Sequence, residues 1–101
     1  MKTLLFSLAG AERLEEALIY YERSEEGRTM GGYLQQVEAA FERIRTFPEL
    51  RQVVRTSPRT GFDYRSVTVW RFVFFYRVTS DAIVVEEVAH ESSDLSRLSD
   101  L

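Results

Sequence analysis

The stretch Arg-Phe-Val-Phe-Phe-Tyr-Arg-Val occupies residues 71–78, and Ala-Ile-Val-Val-Glu-Glu-Val-Ala-His occupies residues 82–90. Both stretches are rich in the β-branched and aromatic side chains that are enriched in strands. The polar residues between them, around Ser80 and Asp81, are suited to a tight turn. The sequence therefore predicts a β-hairpin with one strand over Arg71–Thr79 and the other over Ala82–Ala89.

The register of this hairpin decides which side chains share a face. A turn that is symmetric about Ser80 and Asp81 sets Tyr76 opposite Val85 and Arg71 opposite His90. One face is then mostly apolar and is predicted to pack on helices, because it carries Phe72, Phe74, Tyr76 and Val78. The other face carries Arg71 beside His90, with Arg77 diagonal to Glu86. A slip of one residue would exchange the two faces, so these assignments depend on the register.

The polar strip on the second face has two interpretations. Arginines beside the single histidine are a chemistry that binds anions or transfers protons. The same residues also describe an ordinary solvated face, in which cross-strand charge pairs contribute a few tenths of a kcal/mol each. The residues alone leave both interpretations open.

In the part of the chain that precedes the hairpin, hydrophobic residues recur with the helical period up to about residue 50. After residue 50 they recur with the period of a strand. A further strand is predicted at Tyr64–Val69. Two helices, near residues 9–26 and 31–47, are predicted to form a helical hairpin. Ser7 is the candidate cap of the first helix and Gly27 its candidate stop. Pro48 is the candidate stop of the second helix. An initial strand is predicted over Lys2–Leu8. The order β-α-α-β-β-β predicts one α+β domain over residues 1–101, with an antiparallel sheet of about four strands and the helical hairpin on one face.

The predicted core joins the apolar stripes of both helices to the apolar face of the hairpin. Ala11, Leu14, Leu18 and Tyr21 recur at helical spacing in the first helix. The residues expected inside are Leu14, Leu18, Leu34, Val37, Phe41, Ile44, Phe74 and Tyr76.

The amino-acid composition argues against several classes of function. The net charge is −3, and the thirteen cationic residues are all arginine except Lys2. Nucleic acid is therefore not expected as a strong direct ligand, since proteins that bind it usually carry excess positive charge. The chain has no cysteine and no long apolar segment, so we expect a cytoplasmic protein without membrane contact. Metal-binding spacings and phosphate-binding loops are lacking, so we expect no cofactor.

Several sequence features, in the order in which they occur along the chain, resemble those of the RelE/ParE superfamily of toxins, and of its ParE branch in particular. They are an arginine at the start of a strand (Arg65), an aromatic-rich strand that ends in Tyr76-Arg77-Val78, an aliphatic strand from Ile83, and a final Val88-Ala-His90. The helical half is similar too, with Tyr20-Tyr21 in an acidic first helix and Tyr33-Leu34 at the start of the second. The resemblance implies a bacterial type II toxin–antitoxin system of the plasmid stabilisation kind. It implies growth inhibition through a target such as DNA gyrase, and neutralisation by a cognate antitoxin.

The chain also departs from the superfamily pattern. The terminal motif is typically His, a small residue, two basic residues and Asp, whereas this sequence has His90-Glu-Ser-Ser-Asp94. The loss of both basic positions weakens the alternative of a RelE-like ribosome-dependent mRNA interferase. The candidate catalytic residues of that alternative are Arg65, Arg71, Arg77 and His90. A non-toxic interaction module that retains the fold is the third hypothesis, and a homodimer is a further open question.

Overall fold

The computed structural model describes residues 2–23, 29–93 and 101 of the chain. In these residues two helices lie against a single five-stranded sheet, which confirms the predicted α+β class. The elements in chain order are β1 (Thr3–Phe6), α1 (Leu8–Arg23), α2 (Met30–Thr46), β2 (Val53–Thr56), β3 (Asp63–Val69), β4 (Phe72–Val78) and β5 (Ala82–His90). No helix in the described part of the chain is long and apolar enough to cross a membrane.

The sheet differs from the prediction in strand number and in direction. Its spatial order is β1-β5-β4-β3-β2, and β1 pairs parallel with β5, from Thr3 opposite Ala82 to Phe6 opposite Val85. The sheet is therefore mixed, and the predicted all-antiparallel sheet of about four strands is corrected to five strands with one parallel pair. The additional strand is β2, which pairs antiparallel with β3.

Both helices begin at side-chain caps. The Ser7 hydroxyl accepts the Gly10 N–H at 3.0 Å, which confirms the predicted cap of α1. Thr29 caps α2 in the same way, accepting the Gly32 N–H at 3.0 Å. The second helix ends at Thr46, just before Pro48, as predicted. The predicted end of the first helix over residues 24–26, and its stop at Gly27, lie outside the described residues.

The core lies between the helices and one face of the sheet. Five of the predicted core residues are buried there: Val37, Phe41, Ile44, Phe74 and Tyr76. Leu14 and Leu18 are partly buried against this core. Leu34 is only half-buried, and Tyr33 beside it is buried instead. The buried face of α1 is formed by Gly10, Ala17 and Tyr21, so it is rotated relative to the predicted stripe, and Ala11 is exposed.

The β4–β5 hairpin follows the predicted register over only half its length. Tyr76 lies opposite Val85, as predicted, but a β-bulge between Phe75 and Tyr76 shifts the pairing by one residue. Beyond the bulge Phe75 faces Glu87, and Phe72 faces His90. The bulge adds one residue to β5 at Glu86, and it therefore moves His90 away from the position predicted for it.

Candidate functional site

The four candidate residues lie at two ends of the sheet. Arg71 and His90 lie at the turn between β3 and β4, and Arg77 lies near the other end of β4. Arg77 lies six positions after Arg71, which corresponds to about 20 Å along an extended strand.

The β3–β4 turn is formed by Trp70 and Arg71. Trp70 has a φ of 54°, and within the described ranges no other residue except glycine has a positive φ. A positive φ at the first central position of a two-residue hairpin turn normally requires glycine, since a side chain there costs on the order of 1–2 kcal/mol. Packing offsets this strain, because the Trp70 ring lies 5.0 Å from Tyr21 and 5.3 Å from Tyr33 between centroids. The Arg71 N–H also donates to the Tyr21 hydroxyl at 3.0 Å.

His90 is held on the helix side of the sheet. Its ring contacts Phe72 at 5.2 Å and Tyr20 at 5.6 Å between centroids, both edge-on. Its Nδ1 lies 2.7 Å from the Ser92 hydroxyl and accepts the Ser92 N–H at 3.1 Å.

The predicted pairing of Arg71 with His90 is wrong. The strand partner of His90 is Phe72, and the Arg71 guanidinium lies 3.4 Å from the Glu91 carboxylate, with both side chains nearly half exposed. The bulge is the reason, since it moves His90 one position along β5. A phosphate at this turn would meet an arginine that already has a carboxylate partner.

Arg77 takes part in a polar network on the other face of the sheet. Its Nε donates to Glu86 Oε1 at 3.0 Å, and the Tyr64 hydroxyl donates to Glu86 Oε2 at 2.6 Å. The Arg77 guanidinium also lies 4.6 Å from the centre of the Phe62 ring. The predicted proximity of Arg77 and Glu86 is therefore found, but the sequence analysis missed Tyr64. Its strand position on the same face as Arg77 was the available signal.

Arg65 does not join the Arg77–Glu86 network. Its strand partner in β4 is Tyr76, whose side chain is buried against the helices. The Arg65 guanidinium donates to the Arg51 carbonyl at 2.6 Å and thereby ties β3 to the chain before β2. This contact indicates a structural role for Arg65.

The four residues therefore do not converge on one site. Arg71 and Arg77 each face a carboxylate, Arg65 binds backbone, and His90 packs against aromatic rings. In the described part of the chain no group of three or more His, Asp or Glu residues lies close enough to hold a metal ion.

Alkaline pH provides a test of the Tyr64–Glu86 contact. Burial, reinforced by the hydrogen bond to Glu86, raises the pKa of Tyr64 from 10 to about 12. A folded-state pKa above the unfolded value means that the contribution of Tyr64 to stability is complete below pH 10 and is lost as the pH rises through 12. Urea unfolding between pH 9 and pH 12 should show this loss, and Tyr64→Phe should reduce it. A pH dependence that is the same in both proteins would contradict the assignment.

Large apolar side chains are exposed around β2. Phe47 is 63% exposed, Leu50 is 55% exposed and Val54 is 54% exposed. Phe62 and Val53 are exposed as well.

Comparison with known proteins places the chain in a family. Individually curated proteins give no significant match to it. A family model described as the ParE toxin of the type II toxin–antitoxin system parDE matches residues 5–95, which include all seven strands and helices except the first two residues of β1. Because this match covers most of the chain, the chain belongs to the ParE toxin family of type II toxin–antitoxin systems.

Proposed function

We propose that this ParE-family chain inhibits bacterial growth by binding a protein target in the cytoplasm, with DNA gyrase as the target, and that a cognate antitoxin neutralises it. The observation that carries the proposal is the separation of the candidate catalytic residues. The arginines at the two ends of β4 are about 20 Å apart, and each lies against a carboxylate.

The separation argues against the RelE-like alternative. Cleavage of RNA needs a group that takes the 2′-hydroxyl proton, cations that stabilise the developing phosphorane charge, and an acid for the leaving oxygen. His90 is held by Ser92 and two aromatic rings, and the nearest candidate cation, Arg71, is paired with Glu91. The carboxylate of Glu91 would also repel the phosphate that such a site must attract.

A binding mechanism requires only a surface of suitable shape and polarity. The exposed apolar side chains around β2 support this mechanism, because aromatic anchors such as Phe47 often dominate binding energy at interfaces. Inhibition by binding therefore does not require the separated arginines to act at one site.

Inducible expression in a bacterium tests the proposal. We expect growth to stop on induction, plasmid supercoiling to fall, and translated messages to remain intact by primer extension. Because neither residue acts as a catalyst in this mechanism, Arg71→Ala and His90→Ala should retain most of the growth inhibition. Co-expression of the cognate antitoxin should restore growth and supercoiling together.

Two results would contradict the proposal in different ways. Discrete cuts inside ribosome-bound codons that disappear in Arg71→Ala or His90→Ala would establish the mRNA interferase alternative. Normal growth, with gyrase unaffected by the purified protein, would support the non-toxic interaction module instead.

A further inference from the structure

Positive charge is concentrated in one hairpin of this acidic protein. Residues 51–65, which comprise β2, the loop after it and the start of β3, contain four arginines and a single acidic residue, Asp63. The segment therefore has a net charge of +3, whereas the chain as a whole has a net charge of −3. A local field of this sign attracts an anionic surface and repels a cationic one.

Three of these arginines have no carboxylate partner. Arg51, Arg55 and Arg59 take part in none of the ion pairs formed among the described residues. The carboxylate of Asp63 instead accepts the Thr56 hydroxyl at 2.6 Å. The Nε of Arg55 is buried and has no hydrogen-bond partner in the described part of the chain. A carboxylate supplied by another molecule would give these guanidinium groups the strong, charge-assisted hydrogen bonds that they lack here.

The same hairpin exposes aliphatic side chains beside its arginines. Val53 and Val54 are exposed, and Arg55 follows them directly in β2. Arg55 lies opposite Tyr64 in β3. Burial raises the pKa of Tyr64, and the charges of Arg77 and Arg59 oppose that rise, so Arg59 also lies near the Tyr64 hydroxyl. Val53, Val54, Arg55 and Arg59 are called the β2–β3 surface below.

The backbone of β2 determines how a partner can bind this surface. β2 is the edge strand of the sheet, and its pairing with β3 is irregular between Val53 and Arg55. A bulge and cationic side chains on an edge strand discourage the addition of another strand. A partner is therefore expected to contact the side chains of the β2–β3 surface rather than its backbone. Arginine paired with carboxylate around an apolar contact is a common arrangement between proteins.

Two other occupants fit the surface less well. Proteins that bind single-stranded nucleic acid stack bases on aromatic rings, but the surface itself is aliphatic, and the nearby Phe62 ring already has the Arg77 guanidinium 4.6 Å from its centre. The net charge of −3 also opposes a polyanion. A second copy of the chain, related by a two-fold axis, would bring arginines against arginines. Charge therefore favours an acidic protein surface.

We infer that the β2–β3 surface binds the target of the toxin, and that the target presents apolar side chains there, surrounded by carboxylates. The carboxylates pair with Arg55 and Arg59, and the apolar side chains pack on Val53 and Val54. The inference rests on the proposed function, because it assigns the docking surface for the protein that the toxin inhibits. Purified DNA gyrase is the probe for it.

Inhibition of gyrase supercoiling by purified variants tests the charged part of the surface. Arg59→Glu should weaken inhibition by about tenfold or more, because it sets a carboxylate against the carboxylates of the target. Arg59→Lys keeps the charge and should retain most of the inhibition. Arg23→Glu makes the same charge change at the end of α1 and should alter inhibition by no more than about twofold, since salt screens distant charges.

A matched pair of apolar substitutions tests the other part. Val54→Asp places a carboxylate in the contact and should weaken inhibition by about tenfold or more, because desolvating an unpaired charge is costly. Leu8→Asp introduces the same residue at an exposed apolar position at the start of α1 and should have little effect. Thermal unfolding checks that both variants remain folded, and Arg59→Glu, which lies in a loop, decides the question if Val54→Asp does not.

Wild-type inhibition of gyrase together with equal inhibition by Arg59→Glu and Arg23→Glu would overturn the inference and leave the proposed function intact. A wild-type protein that does not inhibit gyrase would overturn both. The inference would also fail if Arg59→Glu and Val54→Asp lost antitoxin binding but still inhibited gyrase.

Two further measurements address the other occupants. Fluorescence anisotropy with a labelled RNA or DNA oligonucleotide should detect no binding at physiological salt. Binding that Arg59→Glu abolishes would assign the surface to nucleic acid and overturn the inference. Sedimentation should show that Val54→Asp and the wild type have the same oligomeric state. A wild-type dimer that Val54→Asp dissociates would assign the surface to a second copy of the chain and overturn the inference as well.

Discussion

Replacing Phe41 with alanine is expected to lower the free energy of unfolding by about 3–5 kcal/mol. Phe41 is 1% exposed, and its ring packs edge-on against Phe74 at 5.7 Å and Tyr76 at 5.9 Å between centroids. The substitution removes a ring that joins α2 to β4, and the cavity it leaves is lined by rigid aromatic neighbours that cannot easily collapse. The loss is a large share of the total stability of a small protein, which is typically about 5–15 kcal/mol.

Urea unfolding measures this loss, and the same helix supplies a control. Phe47 follows α2 directly and is 63% exposed. Phe47→Ala therefore removes the same side chain without leaving a cavity, and it should change the free energy of unfolding by no more than about 0.5 kcal/mol. Similar unfolding midpoints for the two variants would mean that α2 presents a different face to the sheet.

Replacing Gly10 with alanine is expected to destabilise the protein by about 3 kcal/mol, near the upper end of the usual cost of overpacking. A methyl group at Gly10 would lie 2.3 Å from the Val85 carbonyl oxygen, and this obstacle is backbone that cannot rotate away. Moving α1 outward to relieve the clash would also strain the hydrogen bond that the Ser7 N–H donates to the same carbonyl at 2.9 Å. Helix propensity favours alanine by only about 1 kcal/mol, so the clash dominates.

Gly31→Ala is the matched control, since its effect should have the opposite sign. Nothing in the described part of the chain lies within 4 Å of a methyl group at Gly31, which is in the first turn of α2. Helix propensity alone should then raise stability by about 0.5 kcal/mol. Thermal unfolding of both variants gives the comparison, and a Gly10→Ala protein as stable as Gly31→Ala would show that α1 does not approach β5 as described.

The sequence could predict the elements whose side chains alternate clearly between core and solvent. The helices, β3 and the β4–β5 hairpin are elements of this kind, and they were predicted within a few residues. β2 was missed because it is an edge strand with no buried side chain, so Val53–Thr56 shows no alternation. The direction of β1 was missed because pairing between strands distant in sequence leaves no local pattern.

The candidate site was less predictable because it depended on a backbone irregularity. Nothing in the run Val84-Val-Glu-Glu-Val88 distinguishes a regular strand from one with an extra residue, yet the bulge moved His90 to the helix side. The turn at Trp70 could not be predicted from the sequence either. Tertiary packing of the Trp70 ring stabilises a backbone conformation that glycine normally adopts. Tyr64 was overlooked because its partner Glu86 lies on a strand that does not neighbour its own.

The parallel pairing of β1 with β5 has a consequence for the time at which the protein folds. Thr3 is synthesised early, but its partner Ala82 is added much later, and the Lys2 ammonium likewise donates to the Thr79 and Ser80 carbonyls at 2.6 and 2.7 Å. During synthesis on the ribosome, β1 therefore remains unpaired until β5 has left the exit tunnel. Such non-local pairing slows folding and prolongs exposure of apolar surface. The nascent chain thus stays incompletely folded until this region has left the exit tunnel.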